Sequence, residues 1–326
     1  MSQNTENSAK IEIGLNAAIL AVQDGQPCVL IIPDEQNAEG DWESLPFGPF
    51  SPLEHRTLEI GLRSWVSELT GVNLGYVEQL YSFGDRGRHA QPTDTSPHVV
   101  SIGYLALTRN NKEQKSNGAH WEQWYKYFPW EDWRNGKPDI LTNDIEPKLI
   151  EWAKNTHESK HPLLRSERLS ISFGIGEDNW DEEKVLERYE LLYEAGLVKE
   201  AARDGRSAAK HMPHKIPGRP MTQDHRRILA TAMGRLRSKI KYRPVIFELM
   251  ARDFTLFELQ KTVEAISGNH IHKQNFRRLV ETAGLVEPTG EVSLETGGRP
   301  AKLFRFRREV LLERPAPGVK INKIRS

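Results

Sequence analysis

The side chains best suited to chemistry lie near the C-terminal end, in His-Lys-Gln-Asn-Phe-Arg-Arg-Leu-Val-Glu-Thr-Ala-Gly, residues 272–284. Wound as a helix, this segment puts Phe276, Leu279 and Val280 on one apolar face. Its other face then offers His272, Lys273, Gln274, Asn275, Arg277 and Arg278, mostly in the N-terminal half. These types reach phosphates and base edges, arginine pairing with guanine in a bidentate fork and glutamine or asparagine with adenine. A second basic group follows in Gly297-Gly298-Arg299-Pro300 and Lys302. Glycines there let the backbone approach a groove closely, so Arg299 can enter a narrow minor groove. Taken alone, a charge-rich helix is equally a solvated face. The surrounding elements favour DNA.

Those elements read clearly from Thr222 onward. Thr222 is a candidate N-cap, and Ile228, Leu229, Ala232, Leu236 and Ile240 give a helix of about five turns. Pro244 opens a short second helix. Thr255 and Glu258 form a capping box ahead of a third, which Gly268-Asn269 breaks, and Thr255 is counted with the DNA-facing set. A fourth runs from Lys273 to Ala283, and two short strands, Glu-Val-Ser-Leu and Lys-Leu-Phe-Arg-Phe, close the pattern. Helix, turn, helix and hairpin in this order predict a winged helix-turn-helix.

Upstream, two apolar strands flank Asp24-Gly25, a hairpin signal. Leu58, Leu62, Val66 and Leu69 put an apolar face on a helix over 54–70, ended by Gly71. Two more strands follow, separated by the loop 84–97. The expected layout is a helix packed on a mixed sheet. The middle of the chain is less legible. It holds an aromatic cluster (Trp121, Trp124, Tyr125, Trp130, Trp133) that reads as core or interface before it reads as a base-stacking platform. A helix near 147–156, a short strand at 169–176, an acidic helix at 181–196 and a Gly- and Pro-rich linker or exposed loop over 202–220 complete it.

Cys28 is the single cysteine, so an internal disulfide and a cysteine-built zinc site are excluded, and its apolar run marks a buried strand residue. No run approaches the ~18 apolar residues of a membrane helix, and the polar N-terminus lacks a secretory signal, so a cytoplasmic protein is expected. The net charge is zero, but residues 1–203 hold 20 basic and 33 acidic side chains, and residues 204–326 hold 25 and 12. The C-terminal part has the field to attract a polyanion, and the N-terminal part would repel one.

The helix ending Ser64-Trp65-Val66-Ser67-Glu68-Leu69-Thr70-Gly71 resembles an eroded Nudix box. Aligned on Gly71, the motif arginine is Ser64, its neighbouring glutamate Trp65 and the second of the paired glutamates Leu69. Glu68 alone survives, and one carboxylate cannot assemble the several that hold Mg²⁺ for diphosphate hydrolysis. The C-terminal run is similar to the winged helix of NrtR regulators of NAD metabolism. The specific pieces are Phe254-Thr255-Leu256 with Glu258-Leu259, Asn275-Phe276-Arg277-Arg278 and Gly298-Arg299-Pro300-Ala301. The chain length, the middle segment and the eroded box resemble the NadQ branch more particularly.

The resemblance implies an α+β protein: a Nudix-like mixed α/β sandwich over 1–221, with an insertion at about 130–220, then a linking helix and winged helix over 222–326. It further implies a repressor of NAD biosynthesis or salvage genes that binds double-stranded operator DNA as a homodimer. No catalytic residue, metal or required cofactor is expected. ADP-ribose, NAD or ATP would be the effector, with Arg86 and Arg88 on the phosphates and Glu68 nearby. The alternatives are an active Nudix hydrolase of dinucleotides with accessory DNA binding, and a DNA-binding architectural protein without a ligand.

Overall fold

The computed structural model describes residues 11–33, 42–85, 98–109, 118–154, 163–176, 179–212, 215–241, 245–293 and 300–312. Strands β1 (Ile11–Gln23) and β2 (Gln26–Pro33) form the expected hairpin. Asp24 and Gly25 take φ of 49° and 73°, the pair of left-handed residues that a two-residue turn matching strand twist requires. After β3 (Glu43–Ser44) and β4 (Phe47–Pro49) comes α1 (Leu58–Thr70), then β5 (Val77–Phe83), β6 (His98–Leu107) and β7 (His120–Gln123). They build one sheet in the order β3-β2-β1-β6-β5, with β4 added on β1 and β7 on β2. β1 and β6 run parallel and the other pairs antiparallel, so the sheet is mixed, as expected.

From Leu15 to Ala21 both faces of β1 are buried, in alternation. Leu15, Ala17 and Ile19 pack with Leu62 and Val66 of α1. Ala18 and Leu20 face a larger core that includes Trp124, Trp130, Tyr189, Leu229 and Met233. α1 starts at Leu58, later than the periodicity suggests, because the Thr57 side chain caps it by accepting from Ile60 N at 3.2 Å.

The middle of the chain is a helical layer. Short 3-10 turns at Trp124–Lys126 and Pro129–Glu131 precede α2 (Glu146–Lys154), α3 (Arg165–Phe173), α4 (Val185–Glu194), α5 (Lys199–Arg203) and α6 (Ser207–Lys210). Two expectations fail here. The strand expected at 169–176 is α3: its apolar alternation is incidental, and Leu169, Ser172 and Phe173 are buried at helical spacing while Ile171 is exposed. Glu167 accepts from Leu164 N at 2.7 Å, and Gly174 ends the helix in the left-handed region. The stretch 202–220, expected as a linker or exposed loop, carries the short α6, and its described residues are tied to their surroundings. Lys215 Nζ donates to the carbonyls of Gly196, Ala209 and Met212 at 2.8, 3.0 and 2.6 Å. Ile216 is buried, and Gly218 leaves no room for a Cβ against Arg226, the Tyr127 carbonyl and Pro129. Its glycine serves close packing, where composition suggested freedom.

The long helix α7 (His225–Lys239) lies across the sheet, in contact with β1, β5, β6 and α4. Thr222 does not cap it. Its hydroxyl meets Ser44 Oγ at 2.6 Å, tying the chain to β3, and the helix starts three residues later. A 3-10 turn at Val245–Leu249 leads to β8 (Phe254–Thr255), α8 (Leu256–Ser267), α9 (Lys273–Ala283), β9 (Val286–Ser293), β10 (Ala301–Phe306) and the short α10 (Arg308–Leu312). The second sheet runs β8-β10-β9, which with α8 and α9 completes a winged helix-turn-helix.

Candidate functional site

α8 starts with the predicted capping box: Glu258 N donates to Thr255 Oγ1 at 3.2 Å, and Glu258 Oε2 accepts from Thr255 N at 2.6 Å. Thr255 is only 3% exposed and its hydroxyl also donates to Glu258. Its side chain is committed to the cap and leaves the DNA-facing set. The turn into α9 is organised by Glu264, a residue that no sequence pattern singled out. Buried, it accepts from Gln260 Nε2, Ile271 N and Lys261 Nζ at 2.9, 3.0 and 2.9 Å. Burial works to raise its carboxyl, and these donors outweigh that and hold it below the ordinary range.

α9 buries Phe276 and Val280 and presents His272, Lys273, Gln274, Arg277 and Arg278 to solvent, with Asn275 half-buried. The basic face read from sequence is therefore one surface. Arg277 Nε pairs with Glu281 Oε1 at 2.8 Å, in an exposed i,i+4 contact that little free energy would break. Lys302 is exposed on β10, next to a strand pair in which Arg305 Nε meets Glu287 Oε1 at 2.7 Å. Arg299, Arg86 and Arg88 lie outside the described residues.

In the N-terminal half, Glu68 is exposed on α1 and accepts from Ser64 Oγ at 3.2 Å. Trp65 packs against Gly48, where a Cβ would stand 3.0 Å from its ring. Among the described residues, the one group of three donors close enough to share a cation is Glu43, His120 and Glu122, none of them on α1. Arg219 already bridges its two carboxylates at 3.0 and 2.7 Å. A cleft of about 550 Å³ opens beside β4 and the N-terminal half of β1, walled by Ile13, Phe47, Phe50 and Val99, with Asn16, Ser101 and Gln223 as polar lining. Asn16 is 2% exposed, and its Oδ1 has no hydrogen-bond partner among the described residues. Gln223 holds φ of 48°, a conformation costly for a side chain with a Cβ. It lies two residues before α7, whose His225 Nδ1 accepts from Leu45 N at 3.1 Å.

α7 spends its positive charge inside the molecule. Arg226 pairs with Glu200 at 3.2 Å, Arg227 with Glu190 at 2.7 Å, Lys239 with Glu78 at 3.1 Å and Arg237 with Glu131 at 2.7 Å. Just beyond the helix, Lys241 meets Glu182 and Glu183 at 2.6 Å each. Lys273, Arg277 and Arg278 of α9 and Lys302 of β10, by contrast, face solvent. The aromatic cluster is core: Trp124, Tyr125 and Trp130 are buried. So is Cys28, whose thiol burial pushes up to about 11.

Comparison with known proteins agrees with this architecture. Residues 246–306 match the NrtR DNA-binding winged helix domain, which bears out the resemblance read from the sequence. A curated protein of Acinetobacter baylyi, the ADPR responsive transcriptional repressor NtrR, is 41% identical over 83 residues. That match takes in 26% of this chain, and the chain spans 33% of that relative's length. Among solved structures, Shewanella oneidensis NrtR complexed with a 27mer DNA superposes with a TM-score of 0.56 and 19% identity, over 94% of this chain and 98% of that one. A MutT/nudix family protein from Enterococcus faecalis gives 0.51 and 17%, over 94% and 90%. At these identities the likeness is one of fold, a Nudix-like domain followed by a winged helix.

Proposed function

We propose that this chain is a nucleotide-responsive repressor that binds operator DNA through α9 and the wing and senses an NAD-related nucleotide in a Nudix-like domain that does not hydrolyse it. The observation that carries the reading is the exposed basic face of α9, set inside the stretch that matches a DNA-binding winged helix. Lys273, Gln274, Arg277 and Arg278 supply phosphate and base-edge donors, and Lys302 and Arg299 serve the wing. Two copies would present their α9 helices about 34 Å apart on successive major grooves, so the active species is a homodimer acting in the cytoplasm.

For the sensor, the name of the Acinetobacter relative favours ADP-ribose, with NAD and ATP as the other adenine diphosphates. The cleft supports this: Phe47 and Phe50 offer apolar and stacking surface, and Ser101 and Gln223 give it polar lining. Arg86 and Arg88 stay our candidates for the phosphates, and Glu68 is the acid nearest in sequence to the family's site. The eroded box, Ser64, Trp65 and Leu69 against a single Glu68, is why we assign no turnover. The decisive experiment is a footprint of the full chain on the DNA upstream of its neighbouring genes, repeated with ADP-ribose, NAD and ATP. A protected palindrome whose occupancy one nucleotide changes is expected. No protection at any salt would reject the reading, and Mg²⁺-dependent hydrolysis abolished by Glu68→Gln would reject its non-enzymatic half.

A further inference from the structure

The helical layer between β7 and α7 has no task in operator or nucleotide binding as proposed. At its centre three charged side chains are closed off from solvent: Glu131, Arg188 and, from α7, Arg237, each with 0% of its side chain exposed. Arg188 grips both carboxylate oxygens, Nε to Oε1 at 2.6 Å and Nη2 to Oε2 at 2.8 Å, while Arg237 Nη1 reaches Oε2 at 2.7 Å. Two guanidiniums against one carboxylate leave a surplus positive charge in the interior, which an apolar core would not tolerate. Carbonyl oxygens balance it. Arg188 donates to Ser172 O in the last turn of α3 and to Asp181 O, at 2.9 and 2.8 Å. Arg237 donates to Glu182 O and, in the last turn of α8, to Ile266 O, both at 2.9 Å. Helix C-termini carry partial negative charge, so α3 and α8 both aim the favourable end at the cluster.

Ile266 belongs to the first helix of the helix-turn-helix, and its neighbours are held from the same side. Tyr125 donates its hydroxyl to Ala265 O at 2.8 Å and accepts from Arg237 Nη2 at 3.3 Å. Trp133 N donates to Gly268 O at 2.6 Å, and Trp133 bridges Asn269 as an isolated strand pair. Gly268 stands at φ 73°, with the Glu131 carbonyl, Arg237 and the Tyr125 hydroxyl filling the place of a Cβ. The end of α8 and the turn that aims α9 are thus fastened to residues 125–133 and α7.

We infer that Tyr125, Glu131, Trp133, Arg188 and Arg237 are positioning residues for the recognition helix, bolting the helix-turn-helix to the sensor half so that α9 keeps one orientation against the sheet within a protomer. A nucleotide signal then reaches DNA by moving whole protomers against one another. This last step rests on the operator-binding reading; the bolt itself does not.

Hydrogen exchange on the full chain, without DNA or nucleotide, tests the bolt. Tyr125→Phe removes one hydroxyl and keeps the buried ring. Amides of residues 265–271 are expected to exchange roughly tenfold faster than in the wild type, the loss of about one net hydrogen bond, with β6 unchanged. Equal rates in both proteins would overturn the proposal whatever the DNA results. Glu131→Gln is the second variant, expected to loosen the same residues further. For positioning, operators with one base pair inserted between half-sites are compared with the uninterrupted site. The wild type is expected to lose affinity on insertion, and Tyr125→Phe to show a penalty roughly tenfold smaller. The same penalty in both would reduce the cluster to a structural role. Failure of both proteins to bind any operator would instead refute the repressor reading and leave the exchange result standing.

Discussion

At the scale of single residues, the exposed basic face of α9 was legible because a 3.6-residue period separates Phe276 and Val280 from Lys273, Arg277 and Arg278 without help from the rest of the fold. Thr255 was misassigned among them because a capping threonine and a phosphate-binding one look alike in sequence. Glu131 was illegible for a different reason. In an aromatic run an acid reads as a break in the core, and its two arginine partners lie 57 and 106 positions away. Arg237 did leave a signal, since it follows Met233 by four residues and so interrupts the apolar stripe of α7. Truncation of Arg277 or Arg299 to Ala is expected to weaken specific operator binding by about 1–3 kcal/mol. For Arg277 the melting temperature should hold, since its pair with Glu281 is exposed on both sides. A gel shift at fixed salt checks this, and unchanged affinity in both variants would reject the DNA face. Beneath the cleft, Asn16→Leu should preserve or raise the melting temperature of the free protein, because it removes a buried carbonyl that has no partner among the described residues.

At the scale of elements, regular local patterns were read correctly where one face of the element is solvent, as in α9, and failed where packing decides. α3 shows why: Leu169, Ile171 and Phe173 alternate as in a strand, but the segment packs against α2 and α4 as a helix and leaves Ile171 outside. The 202–220 stretch failed because glycine and proline serve tight packing as well as turns. The joints between elements are electrostatic, and this gives them a pH dependence. For Glu131 and Glu264 burial alone would raise the carboxyl, but Arg188 and Arg237 around the first, and Gln260, Ile271 N and Lys261 around the second, hold both below the ordinary 4.5. A depressed folded value means stability that is fully present above pH 4.5 and is lost as pH falls through the lowered values. Urea unfolding at a series of pH values should therefore show stability dropping in acid. Glu131→Gln should be less stable near neutrality by about 3–5 kcal/mol, with a shallower acid decline.

At the scale of the whole molecule, the balance of charge between the two halves takes on a finer form. Part of the basic excess after residue 203 is not available to DNA, because Arg226, Arg227, Arg237 and Lys241 neutralise acids of the helical layer. The logarithm of operator affinity should fall linearly with the logarithm of salt concentration. Lys273→Ala should flatten that slope by about 0.9 for each phosphate that Lys273 neutralises, while Lys241→Ala should leave it unchanged. Equal slopes for the wild type and Lys273→Ala would move the phosphate-binding surface elsewhere. The sandwich also has a consequence in time. One face of β1 is covered by α1, but Ala18 and Leu20 on the other meet the layer containing Leu229 and Met233 of α7, more than 200 positions later. At about 5–20 residues per second on the ribosome, the sheet waits on the order of ten seconds with that face only partly covered, by Trp124, Trp130 and Tyr189 as they emerge. Nascent chains stalled before residue 225 should therefore be held by chaperones, and those stalled after α8 has emerged should be released.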